Sequence, residues 1–298
     1  MKVLILGGNG MLGHKLWQVF RERFDTYVTV RRPLDLAWED VIFDPTRVIQ
    51  GVSAEDVESV RRALEAVRPD AVVNCIGIVK QAAAAKDPLP SITVNSLFPH
   101  QVAELCRSAG ARLLHVSTDC VFSGRQGCYT EEDIPDPIDL YGRSKLLGEA
   151  AGPGSLTIRT SIIGRELDSS NGLVEWFLAQ DGGSVSGYRR AIFSGLTTAA
   201  ISEELARVLE EHHELEGISH VAAEPIGKYD LLCLLKQAYE LDVEISPDDS
   251  VVIDRTLNGS AFEQHTGLVA PDWPVMVEAM ARDETPYPEL RRAALAHR

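Results

Sequence analysis

The sequence predicts an α/β protein in which a doubly wound parallel sheet is joined to a smaller, interleaved C-terminal domain. Up to residue 160, short apolar runs alternate with segments of helical periodicity, which indicates consecutive βαβ units. Several of these runs, such as VLIL and AVVN, are continuously apolar, which is typical of strands buried on both faces. A glycine-rich turn directly after the first apolar run also favours this fold.

The elements of the first half follow from these periodicities. Strands are predicted at residues 2–6, 27–30, 71–75, 112–117 and 155–159. Helices are predicted between them at residues 11–23, 54–67, 92–109 and 140–151. Beyond residue 160 the alternation loosens, and helices are predicted only at 173–180, 199–212 and 229–240. We therefore expect one domain at 1–160 and a second, mainly at 161–298, with helix 199–212 returning to the first.

Composition excludes several classes of function. The net charge of −15 argues against a nucleic-acid partner, because phosphates require clustered Lys and Arg. No apolar run approaches the roughly 18 residues of a membrane span, and the first residues do not resemble a signal peptide. We expect a cytoplasmic protein that does not bind membranes. The five cysteines show no CxxC spacing, so we expect free thiols and no metal site.

A glycine motif lies between the first strand and the first helix. Glycines permit a tight turn and a close backbone approach, and the helix N-terminus offers free N–H groups with a partial positive charge. In this position the motif predicts a dinucleotide pyrophosphate site of the Rossmann type, although a plain strand-to-helix turn is the alternative. The expected contacts are Gly7, Asn9, Gly10, Met11, Leu12 and Gly13.

The residues after the second strand predict which dinucleotide binds. An NAD site usually has an acidic residue here for the ribose 2′-hydroxyl. This chain has Arg31 and Arg32 instead, which suit a 2′-phosphate and therefore NADPH. A solvated basic loop is the alternative, and Asp35 is close enough in sequence to serve a ribose, which leaves NADH open.

A tyrosine and a lysine four residues apart begin the helix predicted at 140–151. Tyr141 and Lys145 share one face of that helix. We expect the ammonium to lower the pKa of the phenol and so to provide an acid–base group near neutral pH. Lys145 can also hold a nicotinamide ribose. Alone, such a pair is more often a surface pair of a helix.

Two hydroxyl residues end the strand upstream of this pair. In a doubly wound sheet the carboxyl ends of the strands line the ligand crevice. Ser117 and Thr118 can therefore donate hydrogen bonds to a substrate carbonyl and stabilise its developing charge, although ordinary turn chemistry also favours these residues. Glycine turn, hydroxyl strand end and Tyr-x-x-x-Lys occur in the order that one active site needs.

With these motifs the chain resembles the extended short-chain dehydrogenase/reductases, and more narrowly the dTDP-4-dehydrorhamnose reductase family. The most specific segments are VSTDCVFSG at residues 116–124, which is similar to the family's STDYVFDG, and YGRSKLLGE at 141–149, which is similar to YGxTKxxGE. The resemblance implies hydride transfer from NADPH to the 4-keto carbon of a nucleotide-linked 6-deoxysugar. It assigns Thr118 as the hydroxyl, Tyr141 as the acid and Lys145 as its electrostatic partner.

The resemblance also implies further contacts. Asn74, Cys75 and Gly77 would pass along the cofactor, and Asn95 would lie in the helix behind the site. The expected substrate contacts are Ser117, Asp119, Cys120 and Arg255. The resemblance also implies that Lys228–Leu231 and Asp254–Asn258 lie in the substrate-binding region. Cys120 replaces a tyrosine of the family pattern, which leaves the identity of the sugar open.

The sequence leaves open the roles of three further residues and two alternative functions. Lys80 is more readily a solvated loop lysine than a phosphate ligand, and Trp176 and Tyr188 are more readily core residues than a platform for a base. The same fold would also suit an epimerase with bound NAD or a non-catalytic regulatory subunit. A homodimer is the assembly that we consider.

Overall fold

Seven parallel strands form the central sheet of the computed structural model, which describes residues 1–167 and 169–296. Asp168, His297 and Arg298, which belong to the predicted C-terminal domain, lie outside the described residues. No helix in the described part of the chain is long and apolar enough to cross a membrane.

The bounds of the elements are as follows. The strands are β1 (Lys2–Leu6), β2 (Asp25–Val30), β3 (Val48–Gln50), β4 (Ala71–Asn74), β5 (Arg112–Val116), β6 (Ser155–Arg159), β7 (Ile162–Ile163), β8 (Ser184–Tyr188), β9 (Ala191–Phe193), β10 (Leu196–Thr197), β11 (Gly217–His220), β12 (Ile226–Gly227), β13 (Glu244–Asp248) and β14 (Ile253–Asp254). The helices are α1 (Met11–Phe20), α2 (Val57–Val67), α3 (Pro88–Ser91), α4 (Phe98–Ala109), α5 (Leu140–Leu147), α6 (Leu173–Leu178), α7 (Thr198–Glu211), α8 (Lys228–Ala238), α9 (Ser260–Thr266), α10 (Trp273–Ala281) and α11 (Tyr287–Ala296).

The strand order in the central sheet is β11-β6-β5-β4-β1-β2-β3, which confirms the predicted doubly wound parallel sheet. The chain winds outward from β1 to β3 on one side and from β4 to β11 on the other. The winding therefore reverses between β1 and β4, where Leu6 and Asn74 pair at the carboxyl ends. A ligand crevice is expected at such a switch point.

Alternate residues of each strand enter two separate apolar cores. Val3 and Ile5 of β1 lie in the core shared with α1, α7 and the C-terminal helices. Leu4 and Leu6 lie in the core on the opposite face, with α2 and α4. All four side chains are fully buried, which is why the strands are continuously apolar.

Two elements from the second half of the chain pack onto the first half. Helix α7 lies along α1, where Arg23 pairs with Glu203 and Glu210. Strand β11 adds to the sheet beside β6. Neither β11 nor β3, at the opposite edge, was predicted, because both are short and only partly buried. The division of the chain at residue 160 stays a prediction.

Two predicted helices have different bounds for physical reasons. The helix predicted at 92–109 begins at Pro88, where Asp87 accepts a hydrogen bond from the N–H of Leu89 (3.0 Å), and passes through a π-helical turn at Ile92–Leu97 before α4. Helix α5 ends at Leu147, four residues early, with Gly148, a poor helix former, as its C-cap residue. Gly148 also lies against the backbone of the π-helical turn with no room for a side chain.

Candidate active site

The glycine turn leaves the amino end of α1 uncapped. Gly7 has a φ of +86°, and a methyl group on Gly13 would collide with the Gly7 carbonyl oxygen. Gly10, the N-cap residue, has no side chain that could accept from the first-turn N–H groups, which include those of Met11 and Leu12. These donors and the dipole of α1 are therefore available to an anion, and Asn9 lies half-buried in the same turn.

Arg31 and Arg32 follow β2 directly and are exposed. The turn lies beside them, because Gly8 donates a hydrogen bond to the carbonyl of Thr29 (2.8 Å). Arg31 lies 4.0 Å from an exposed Glu55 carboxylate, and an exposed pair of this kind contributes little to stability. Asp35, the alternative ribose ligand, accepts a hydrogen bond from the N–H of Ala37 in its own loop. Both arginines therefore stay candidates for a 2′-phosphate.

Residues 75–78, which we call the strap, leave the carboxyl end of β4 and are held at both ends by buried amides. Asn74 accepts a hydrogen bond from the N–H of Ile76 (3.1 Å). Asn95, in the π-helical turn, accepts from the N–H of Ile78 (2.8 Å) and donates to its carbonyl (3.0 Å). Backbone that is fixed in this way presents a rigid surface to a ligand.

The strap lies beside α5. A β carbon built on Gly77 would be 4.0 Å from the Lys145 Nζ, so this glycine faces the lysine. Asn95 also donates to the Ser144 hydroxyl (3.2 Å), and one amide therefore positions both the strap and α5. Burial raises the pKa of the Cys75 thiol to about 12, so Cys75 is neutral next to Lys145.

Thr118, Tyr141 and Lys145 come together at the carboxyl end of β5. The Lys145 ammonium donates a hydrogen bond to the carbonyl of Val116 (2.7 Å). The Thr118 hydroxyl accepts from the N–H of Cys120 (3.1 Å) and also interacts with the Tyr141 phenol. The sequence-predicted hydroxyl, acid and lysine thus form one cluster.

The predicted lowering of the Tyr141 pKa is wrong for the protein without cofactor. Burial raises the pKa of this phenol, neighbouring acidic groups add to the rise, and the interaction with Thr118 opposes it. Lys145 is turned toward the Val116 carbonyl, and burial lowers the pKa of its ammonium to about 8. Tyr141 is therefore a neutral phenol, and hence a proton donor, at neutral pH.

Asp139 determines where α5 begins. Its carboxylate accepts a hydrogen bond from the N–H of Gly142 (2.8 Å) and pairs with Lys80 (2.7 Å). A methyl group on Gly142 would collide with the carbonyl oxygen of Cys120, so the glycine lets α5 approach the turn that follows Thr118. Lys80 is an exposed loop lysine, as expected, and it also forms an ion pair at the start of α5.

Ser117 uses its hydroxyl within the protein, and its contact with the substrate stays a prediction. Its hydroxyl donates to Glu149 (2.8 Å), and Glu149 forms an ion pair with Arg159 (2.7 Å) in which each side chain is 4% exposed. Arg159 also donates to His220 of β11 (3.3 Å). Ser117 therefore belongs to an internal network that joins α5 to β6 and β11.

Charged groups surround the turn after Thr118. Asp119 is buried and accepts a hydrogen bond from the Thr118 hydroxyl (3.1 Å). Burial raises the pKa of Asp119, while the positive charges of Arg255 and Lys228 oppose the rise. Cys120 is half-buried, and burial raises the pKa of its thiol to about 12. Three predicted substrate contacts thus lie together. Lys228, in a segment that the resemblance assigns to the substrate-binding region, joins them.

Two aromatic residues differ from expectation. Trp176 and Tyr188 are 41% and 38% exposed, so neither is a core residue.

Among the described residues, no group of three or more His, Cys, Asp or Glu side chains is arranged to hold a metal ion.

The donors in the crevice fit a phosphorylated dinucleotide. The uncapped end of α1 suits a pyrophosphate. The guanidiniums of Arg31 and Arg32 suit a further phosphate. Lys145, beside Gly77 of the strap, offers a cation to a ribose hydroxyl at the other end.

A family model described as the RmlD substrate binding domain matches residues 1–248, most of the chain. The protein belongs to this family. Membership in the RmlD family confirms the predicted resemblance and assigns the protein to a family of NAD(P)-dependent oxidoreductases with the extended short-chain dehydrogenase/reductase fold.

Curated relatives of this RmlD-family chain have several names. A probable low-salt glycan biosynthesis reductase, Agl14 of Haloferax volcanii, is 32% identical over 184 residues, which are 59% of this chain and 59% of that relative. A dTDP-4-dehydrorhamnose reductase of Mycolicibacterium smegmatis is 34% identical over 122 residues, which are 39% of this chain and 37% of the relative. The methionine adenosyltransferase 2 subunit beta of Danio rerio is 26% identical over 257 residues, which are 80% and 74%.

Solved structures of the same fold cover nearly the whole chain. A hypothetical dTDP-4-dehydrorhamnose reductase from Sulfolobus tokodaii is 25% identical with a TM-score of 0.76, covering 92% of this chain and 98% of its own. A dTDP-4-dehydrorhamnose reductase from Bacillus anthracis in complex with NADP is 21% identical with a TM-score of 0.76, covering 94% and 98%.

Proposed function

We propose that the protein uses NADPH to reduce the 4-keto group of a nucleotide-activated 6-deoxysugar, in polysaccharide or glycoside biosynthesis. The observation that carries the proposal is the cluster of Thr118, Tyr141 and Lys145 beside the strap. Relatives named as glycan biosynthesis and dTDP-4-dehydrorhamnose reductases support the substrate class. The exposed Arg31 and Arg32 support NADPH over NADH.

Tyr141, Thr118 and Lys145 have separate roles in the reduction of a carbonyl group. When bound, NADPH supplies the hydride for the carbonyl carbon. Tyr141, which burial keeps neutral, donates its proton to the carbonyl oxygen as negative charge develops there. The Thr118 hydroxyl, whose single proton is donated to Asp119 before substrate binds, rotates to donate a hydrogen bond to the same oxygen. Lys145 stabilises the phenolate that remains and holds the ribose, and the products are a secondary alcohol and NADP⁺.

The variant Tyr141→Phe tests this role. We expect NADPH oxidation with dTDP-4-keto-6-deoxyglucose to fall at least about 100-fold, the usual contribution of a general acid. The affinity for NADPH should stay within about twofold, because the ring remains in place. The matched control is Tyr27→Phe, which removes a phenol hydroxyl from β2, where the ring lies under Arg47. Turnover that survives in Tyr141→Phe would show that another group is the acid.

A subunit without its own turnover is a second candidate, because relatives named as a methionine adenosyltransferase subunit match up to 80% of the chain. In the same assay, tight NADPH binding without oxidation by any 4-keto nucleotide sugar would favour this candidate. A nicotinamide cofactor that co-purifies and is not consumed stoichiometrically would favour the epimerase alternative.

We also propose a cytoplasmic location. All five cysteines are free thiols, as expected for a reducing compartment. Fractionation of cells that express the protein tests this location. The homodimer stays a prediction, which light scattering of the purified protein would measure.

A further inference from the structure

Lys228, the first residue of α8, places an ammonium group beside the turn formed by Asp119 and Cys120. Its Nζ lies 3.6 Å from the centre of the buried Phe193 ring, and the side chain is half-buried. Across residues 1–167 and 169–296, the ammonium has neither a hydrogen-bond acceptor nor an ion-pair partner within bonding distance. Lys228 therefore has N–H donors that the side chains and carbonyls of these residues do not use.

Lys228 and Tyr141 flank the same turn from different elements. The Tyr141 phenol and the Lys228 ammonium both interact electrostatically with Asp119 and Cys120. Tyr141 reaches the turn from α5 and Lys228 from α8. The ammonium therefore borders the space in which Tyr141 would meet its substrate.

The surroundings of Lys228 disfavour its charged form. Burial without a hydrogen-bonded partner disfavours the charged form, and the pKa of Lys228 falls to about 8 even though Asp119 and Cys120 oppose the change. The aromatic face replaces only part of the lost hydration. An oxygen on a bound ligand would accept a hydrogen bond from this ammonium and favour its charged form.

The pairing with Asp119 specifies the kind of oxygen. A carboxylate accepts hydrogen bonds and an ammonium only donates them, whereas a hydroxyl does both. One hydroxyl placed between Asp119 and Lys228 would therefore satisfy both groups. A phosphate would satisfy Lys228 but would be repelled by Asp119.

We propose that Lys228 donates a hydrogen bond to a ring hydroxyl of the sugar, while Asp119 accepts the proton of that hydroxyl. Lys228 thereby makes the site selective for sugars that carry this hydroxyl over their deoxy analogues. The inference rests on the proposed function, because it takes the sugar to lie beside Tyr141.

The test is a binding titration of the NADP⁺-loaded protein, which does not require turnover. The probes are dTDP, dTDP-rhamnose, and the 2-deoxy and 3-deoxy analogues of dTDP-rhamnose. We expect Lys228→Met to weaken dTDP-rhamnose about ten- to hundredfold, the effect of losing one charged hydrogen bond, and dTDP less than twofold. The analogue that lacks the contacted hydroxyl should bind the wild type and Lys228→Met equally. Lys228→Arg should recover part of the affinity.

Two controls separate a lost contact from a damaged fold. Lys236→Met removes a lysine from the same helix, where its Nζ donates to the carbonyl of Val243, and should leave all affinities for the probes unchanged. NADP⁺ affinity reports whether Lys228→Met keeps the Rossmann domain intact.

The other outcomes overturn the inference. Equal weakening of dTDP and dTDP-rhamnose would place Lys228 on the nucleotide, and unchanged affinities would remove it from the site. A wild type that binds none of the probes also overturns it. A wild type that shows the Lys228-dependent affinity but never oxidises NADPH with 4-keto sugars rejects the proposed function and leaves the inference standing.

Discussion

Tyr141 and Lys145 have pKa values shifted in opposite directions, and burial is the main cause of both shifts. Each group is pushed toward its neutral form, because a charge loses hydration when it is buried. At neutral pH the phenol is protonated and the ammonium, with a pKa of about 8, is still mostly charged. The site therefore presents one positive charge and one available proton, as a carbonyl reduction requires.

The pKa of Lys145 leads to a prediction about cofactor binding. A lysine loses its charge as the pH rises through its pKa, so we expect the affinity for NADPH to weaken above about pH 8. Lys145→Met should bind NADPH more weakly at pH 7 and should lack this pH dependence. Fluorescence titration of NADPH between pH 7 and 9.5 measures both effects. A wild-type affinity that is constant over this range would rule out a cationic Lys145 as a ligand of the cofactor.

Single residues show what the sequence could predict about the site. Thr118, Tyr141 and Lys145 were predictable because each lies at a strand end or helix start that local periodicity identifies. The bond from Ser117 to Glu149 was not predictable, because neighbouring residues at a strand end face opposite sides and only the fold shows what each side meets. The resemblance placed Lys228 in the substrate-binding region but gave its side chain no role, because its nearness to Asp119, more than 100 residues earlier, depends on the fold.

At the scale of elements, α5 is seated by backbone contacts that leave no room for side chains. The π-helical turn presents Asn95 to the strap and to Ser144 on α5. Gly148, at the end of α5, lies against the carbonyl of Asn95 itself. Single π-turns within helices are frequent at functional sites, and this one fixes the spacing between the strap and α5.

This contact predicts the effect of Gly148→Ala. The added methyl group would collide with the Asn95 carbonyl oxygen, and we expect a loss of about 1–3 kcal/mol in the free energy of unfolding. Gly152→Ala, four residues later, has no atom within 4 Å of the new methyl group and should change stability by less than about 0.5 kcal/mol. Urea unfolding of both variants makes the comparison. Equal stabilities would mean that α5 shifts freely, contrary to the close packing described.

At the scale of the whole molecule, one buried ion pair joins parts of the chain that are distant in sequence. Arg159 of β6 binds Glu149 after α5 and His220 of β11, while Ser117 after β5 binds the same carboxylate. The network lies where α5, the sheet and its edge strand meet. A buried pair of this kind differs from an exposed ion pair, which contributes little to stability.

Removal of the Arg159 side chain should therefore destabilise the protein strongly. Arg159→Met leaves the Glu149 carboxylate buried without its partner, and we expect a loss of about 3–5 kcal/mol in the free energy of unfolding. The matched change Arg107→Met breaks an exposed pair with Glu104 and should cost less than about 0.5 kcal/mol. Thermal or urea unfolding distinguishes the two. Similar small losses for both would indicate that water reaches Glu149.

The architecture as a whole was predictable to the extent that its signals are local. Alternating apolar runs and helical patterns predicted the parallel sheet, because each βαβ unit carries its own periodicity. The edge strands β3 and β11 were not predictable, because a short strand that is half-exposed lacks a continuous apolar run. Their placement depends on pairing with β2 and β6, which is a property of the assembled sheet.

The late position of β11 in the chain has a consequence for how the protein is made. A ribosome synthesises β1 to β6 first, but β6 gains its outer neighbour only after residue 220 has emerged. Helix α1 likewise waits for α7 to cover it. Between the synthesis of residues 159 and 220 the nascent chain therefore exposes the unpaired edge of β6, and until residue 211 it exposes an apolar face of α1. Chaperones bind such features, which also drive aggregation. Because α10 and α11 complete the α1 core after β11 has been made, cotranslational folding of this protein should close the sheet first and this core last.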